Sequence, residues 1–182
     1  MGFYGGGGGG FYGGGGDYGG GYDTGSYGYG YDGSADAVSA SRNSSGGSTT
    51  TYTNADGTTY TVTGTIPNRD HNPLDVRGGT YQIGTDNTVN GKFAIFSTDQ
   101  DGFNSAQQTL SNTYGDSSIN SIISKWSPPG GNNTSQIQSQ VDSALGLSGS
   151  ETWNSLSSSQ QNAYLNYYAS HVEGYHGPSK GS

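Results

Sequence analysis

Cysteine is absent from the 182-residue chain, which excludes disulfides and thiolate metal sites. Basic residues are scarce: the six are Arg42, Arg69, Arg77, Lys92, Lys125 and Lys180, and they form no patch. At a formal net charge of −8 such a chain cannot neutralise a row of phosphates, which argues against nucleic acid or anionic lipid as a partner. No apolar run approaches the ~20 residues of a transmembrane helix. The N-terminus carries neither a basic nor an apolar signal region, so any envelope or extracellular destination is expected to be reached without a Sec-type signal. The histidines, His71, His171 and His176, are too few and too scattered for a metal site. "STDQDGFN" (97–104) opens like a calcium loop, but the twelfth position is Gln108 rather than an acid. No Gly-Lys-Ser/Thr follows the glycine runs, so they are not phosphate loops. Neither a cofactor nor a metal is expected.

Glutamate is also rare. Of 14 acidic residues only Glu151 and Glu173 are glutamates. Glu151 follows Ser148 at capping-box spacing and has a structural explanation. Glu173 sits where a helix ends, directly before Gly174, and there the helix dipole disfavours another negative charge by up to ~1 kcal/mol. Stability alone does not account for that placement.

What the chain has in excess is glycine, 35 of 182 residues, and the hydrophobic fraction is only 28%. The imbalance is local. "MGFYGGGGGGFYGGGGDYGGGYDTGSYGYGYDG" (1–33) repeats an aromatic followed by a glycine run and contains no Leu, Ile or Val. Polyglycine loses most entropy on ordering and buries nothing, so residues 1–48 read as a disordered arm and linker. The spaced tyrosines suit contact with a partner surface. "TTTYTNADGTTYTVTGTI" (49–66) alternates Thr with Tyr and Val around Asn-Ala-Asp-Gly, a polar β-hairpin.

From residue 67 the pattern becomes that of an ordinary domain. "GTYQIG" (79–84) and "KFAIFS" (92–97) read as two strands joined by a polar loop. Ser97 or Thr98 caps a helix carrying Phe103, Ala106, Leu110 and Tyr114 at helical spacing, with Gly115 at its end. A second helix places Ile119, Ile122, Ile123 and Trp126 on one face and stops at Pro128 and Pro129. A third starts at Asn133 or Thr134 and ends at Gly146. A short turn carries Trp153 and Leu156, and a last helix spans about 158–173. The expected fold is α+β: about four helices with a short β-hairpin over 67–175, and a tail over 176–182.

Four segments carry a resemblance in the same order: "NPLDVRGG" (72–79), "GKFAIFSTDQDGFNSAQQTL" (91–110), "IISKWSPPGGNNT" (122–134) and "ASHVEG" (169–174). Together they resemble a family of phage virion-associated proteins, some lysozyme-like, others described only as structural. That family's pattern runs Asn-Pro-Gly-Asn-Ile-Arg, Phe-Ala-x-Phe, Trp/Tyr-Ala-Pro-Pro and a closing Glu-Gly or Glu-Asn-Gly. Asn72, Pro73, Arg77, Trp126, Pro128, Pro129, Asn132 and Thr134 match it. Leu74 and Asp75 replace Gly-Asn, and Gly131 stands where the family usually has Glu. The likeness covers about residues 70–175.

By analogy with lysozyme-like and lytic-transglycosylase domains, it implies that Glu173 is a general acid, kept protonated by apolar neighbours and negative potential. A second carboxylate would come from Asp86 or Asp75, Asp86 being preferred, and Tyr81, Arg77, Trp126, Asn132 and Tyr175 would bind the sugar. The implied function is binding and cleavage of peptidoglycan glycan strands by a virion-associated hydrolase or lytic transglycosylase during cell entry. The arm would hold other virion proteins, and the chain is compatible with a homo-oligomer. The alternatives are a non-enzymatic virion component and, on the Gly/Tyr repeat alone, a secreted adhesive or matrix protein.

Overall fold

The computed structural model describes residues 37–43 and 48–180; the Gly/Tyr repeat expected as a disordered arm lies outside them. Five strands form a single sheet: β1 (Ala37–Arg42), β2 (Thr49–Asn54), β3 (Thr59–Thr63), β4 (Gln82–Thr88) and β5 (Gly91–Phe96). A one-turn helix α1 (Ile66–Arg69) links β3 to the loop that precedes β4. Four longer helices follow: α2 (Asp99–Tyr114), α3 (Ile119–Trp126), α4 (Thr134–Leu145) and α5 (Ser158–His171). The fold is α+β, as the sequence implied.

Each of the four longer helices begins where its cap dictates. Thr98, Ser118 and Asn133 each accept a hydrogen bond from the backbone N–H three residues on, and Ser157 forms a reciprocal capping box with Gln160. Such caps contribute roughly 1 kcal/mol each. Glu151 behaves as expected of a local anchor: its carboxylate accepts the Ser148 N–H at 3.0 Å.

The helices enclose one core. Trp153 stands edge-on to Tyr164 (centroids 5.5 Å apart), Tyr164 stacks with Tyr168 (5.5 Å), and Tyr168 tilts against Trp126 (5.9 Å). Ile119, Ile122, Ile123, Leu110, Phe103 and Phe96 close around this aromatic column, all essentially inaccessible to water. Aromatic rings supply area here that a chain poor in leucine cannot.

The sheet departs from expectation in two ways. The order is β3-β2-β1-β4-β5, so the polar ribbon of residues 49–66 is part of the sheet rather than a separate hairpin. Its neighbour β1 comes from a stretch read as linker: "AVSASR" has the small, weakly apolar composition of a connector, and its partners on both sides make it a strand. The loop expected between the two later strands is also mostly strand, since β4 runs to Thr88 and turns over Val89-Asn90 into β5.

The joint between ribbon and domain is the parallel pairing of Ala40 with Gly84 and Ser41 with Thr85. A Cβ at Gly84 would lie 2.0 Å from the Ala40 carbonyl oxygen, a backbone atom that cannot swing aside. Gly84→Ala is therefore expected to break this seam at a cost of about 3 kcal/mol, read as a lower Tm and loss of amide protection along β1.

Candidate active site

Two chain segments meet beside the sheet. The first is the loop after α1, residues 70–77, held by the side chain of Asn72. Its Oδ1 accepts the Val76 N–H (2.9 Å), while its Nδ2 donates to the carbonyls of Val76 (2.8 Å) and Ala94 (2.9 Å). The Ala94 and Phe96 N–H groups donate in turn to Val76 and Asp70, so the loop is laid along the outer edge of β5. The bend puts Asp75 at φ 51°, a left-handed conformation that costs a non-glycine residue on the order of 1 kcal/mol.

The second segment is the end of α5. The N–H groups of Val172 and Glu173 both donate to the Tyr168 carbonyl, and Gly174 then turns the chain at φ 71°. The following residues are clipped to α1: Asn68 Nδ2 donates to the Gly174 carbonyl at 3.1 Å, and the His176 N–H donates to Asn68 Oδ1 at 2.9 Å. Tyr175 meets Phe103 edge-on at 5.6 Å.

Asp75 on the first segment and Glu173 on the second are linked by the interaction of their charges. Glu173 is half-buried. Burial pushes its pKa from an ordinary 4.5 up to about 7. Asp75 is only 8% exposed, its Oδ1 has no hydrogen-bond partner, and burial followed by the Glu173 charge holds it well above the usual carboxylate range. Glu173 also faces the aromatic column: after burial itself, its charge adds to the upward push on the Tyr168 hydroxyl, and it contributes similarly at Tyr164. Asp70 lies next in the chain of charges. Burial raises it to about 7 even though Thr50 Oγ1 donates to its Oδ1 and Arg69 lies 3.7 Å away.

Asp86 belongs to a different arrangement. It is fully buried on β4, where its carboxylate accepts Arg69 Nη2 and also meets Arg42 Nη1 at 3.4 Å. Arg69 is itself anchored, donating to the Gly64 carbonyl at 2.8 Å and accepting the Tyr52 hydroxyl on its own carbonyl at 2.7 Å. Two guanidinium groups fix Asp86 as the counter-ion that joins α1 to the sheet. Asp75, and not Asp86, is the carboxyl whose charge meets that of Glu173.

The expected sugar-binding residues do not converge. Trp126 is 3% exposed and spends its ring on Tyr168, so it is a core residue and offers no face to a sugar. Tyr175 is 5% exposed and donates its hydroxyl to the Pro178 carbonyl. Arg77 lies over the Phe93 ring at 5.0 Å and donates to the Asn90 carbonyl. Asn132 closes its own turn by donating to Pro128. Tyr81 alone presents an open ring, 47% exposed and held at φ 71°.

A cavity of about 290 Å³ runs along α5, lined in part by Phe103, Tyr167, Ser170, His171 and Tyr175. Glu173 is not among its lining residues. Asp70 and Arg69 were not singled out from sequence, although Arg69-Asp70, one residue before the Asn-Pro motif, is a conspicuous charge pair in so charge-poor a chain. No group of three or more potential metal ligands occurs among the described residues, and no helix of the described residues is long and apolar enough to cross a membrane.

Chemically, the Asp75–Glu173 pair can hold a proton at neutral pH that a solvated carboxyl would have lost. Two interacting acids release their protons in two separate steps, so ionisation of one keeps the other protonated and neutral. No protein-family model matches the chain, and no curated protein matches it.

Proposed function

We propose that the folded part of this chain cleaves glycan strands of peptidoglycan, with Glu173 as the general acid that protonates the departing glycosidic oxygen. The observation that carries the reading is the Glu173 carboxyl, pushed up to about 7 by burial, with its charge felt at the buried Asp75 carboxyl. A catalytic acid works best with a pKa near the working pH, and apolar burial is the usual way to bring a glutamate there. Asp75, not Asp86, is the second carboxyl in this scheme, and Tyr81 is the exposed aromatic left to meet a sugar. The motif resemblance supplies the setting: a virion-associated protein acting at the cell wall during entry, with residues 1–36 as the link to other virion components.

Purified full-length chain is then expected to release soluble glycan fragments from wall suspensions, followed as falling turbidity and by mass spectrometry of the products. Anhydro ends would identify a transglycosylase and reducing ends a hydrolase. Failure to release fragments from several wall types overturns the proposal.

One observation favours a second reading, a non-enzymatic virion component: Glu173 does not line the cavity along α5. Under that reading the same carboxyls serve only packing, and wall suspensions stay turbid.

A further inference from the structure

The two edges of the sheet are treated differently. The outer edge of β5 is covered by the 70–77 loop, which takes up the Ala94 and Phe96 N–H groups. The outer edge of β3 has no such cover. The bonds from the Asn54 N–H to the Thr58 carbonyl (2.9 Å) and from the Gly64 N–H to the Ser48 carbonyl (2.8 Å) set the phase of the β2–β3 ladder. Alternation then turns the backbone of Tyr60 and Val62 toward β2, and that of Thr59, Thr61 and Thr63 outward. Among the described residues, nothing pairs with those three outward N–H and C=O groups.

Exposed edges are normally blunted with lysine, proline, a bulge or a covering loop. The β3 strand, "TYTVT", has no charge, no proline and no bulge in its pairing with β2. It is also palindromic in character. If a second β3 lies antiparallel with Thr61 on the two-fold axis, Thr61 faces Thr61 and Thr59 faces Thr63. These are the outward-facing residues, so every facing pair can exchange both backbone hydrogen bonds. On one face of the joined strands threonine meets threonine. On the other, Tyr60 meets Val62, an aromatic with a β-branched residue, a favourable cross-strand pair. Tyr60 is already stacked on Tyr52 at 4.9 Å, which fixes its ring for that contact. The nearest acid in sequence, Asp56, has its carboxylate occupied by the N–H and hydroxyl of Thr58.

The geometry points to β3 as a self-complementary edge at which two copies of this chain join their sheets around Thr61, an isologous contact. The inference is independent of the catalytic reading.

The test measures sedimentation of full-length chain from micromolar to millimolar concentration, together with amide exchange by NMR. Wild type is expected to form a dimer as concentration rises. The Thr59, Thr61 and Thr63 amides should gain protection in step with the dimer, whereas Tyr60 and Val62 should be protected throughout. Thr61→Pro removes only an outward N–H, so the fold should hold while the dimer is lost. Thr61→Lys, which keeps the N–H but brings two like charges together on the axis, should weaken the dimer at least tenfold, and added salt should restore part of it. A wild type that stays monomeric at every concentration overturns the inference, whatever other strand its edge accepts. So does a dimer that persists in both variants with their melting temperatures unchanged, because it would then use another surface.

Discussion

Replacing Glu173 with glutamine is expected to abolish glycan cleavage while making the protein more stable at alkaline pH. Loss of a positioned general acid typically costs ~10²–10⁴ in rate. The stability gain follows from the direction of the pKa displacement. A carboxyl raised from 4.5 to about 7 binds its proton more tightly in the folded state than in the unfolded chain. Between those values the folded state holds more protons, so stability falls as pH rises, and above 7 the whole penalty of an ionised buried carboxylate is present. That penalty is at most about 3 kcal/mol for Glu173. Asp70 and Asp75 are displaced in the same direction and deepen the decline. Glutamine is neutral at every pH. The variant should therefore melt several degrees above wild type at pH 8 and level with it near pH 4, as calorimetry across pH would show. Lost cleavage with a raised alkaline Tm is the signature of a group kept for chemistry at the expense of stability. Unchanged cleavage would remove Glu173 from the mechanism.

Replacing Asp86 with alanine is expected to do the reverse: unfold the protein rather than silence it. The substitution leaves the Arg69 guanidinium buried, with Asp70 at 3.7 Å as its remaining acidic neighbour, and also releases Arg42. Removing one partner of a buried ion pair costs about 3–5 kcal/mol, a large fraction of the stability of a domain this size. Urea titration should show an early transition, with any lost cleavage tracking lost fold. An Arg69→Met, Asp86→Leu pair should recover much of that stability, because two apolar side chains remove the stranded charge as well as the bond. An Asp86→Ala protein that melts normally but cleaves nothing would instead return Asp86 to the catalytic role that the resemblance implies.

The helical half was legible because its signals are local. Thr98, Ser118, Asn133 and Ser157 mark starts, and the spacing of Phe103, Ala106 and Leu110 or of Ile119, Ile122 and Trp126 marks faces. In the sheet the two hairpins were legible but the strand that joins them was not, because β1 is a strand only through neighbours 8 to 17 residues ahead of it at one edge and more than forty at the other. No periodicity in "AVSASR" announces them. The site shows the same division. A glutamate before Gly174 at a helix end is a local anomaly and could be found. Its partner could not be chosen between Asp75 and Asp86, because the choice depends on which one Arg69 claims, a fact of tertiary packing. Trp126 misled for a related reason: an aromatic on an apolar helix face reads alike whether it meets a sugar or Tyr168.

The parallel seam between β1 and β4 has a kinetic consequence. Every other strand pair in the sheet joins neighbours in sequence, and the helices close through short connections, so both halves can assemble early and fast. The Ala40–Gly84 contact spans the whole ribbon and the acid-bearing loop, and a three-stranded ribbon with so little apolar area gains little by waiting alone. Docking of the ribbon is thus expected to be the slow event in folding. Stopped-flow traces should resolve it as a late phase that Gly84→Ala selectively removes, leaving the rapid helical phase in place.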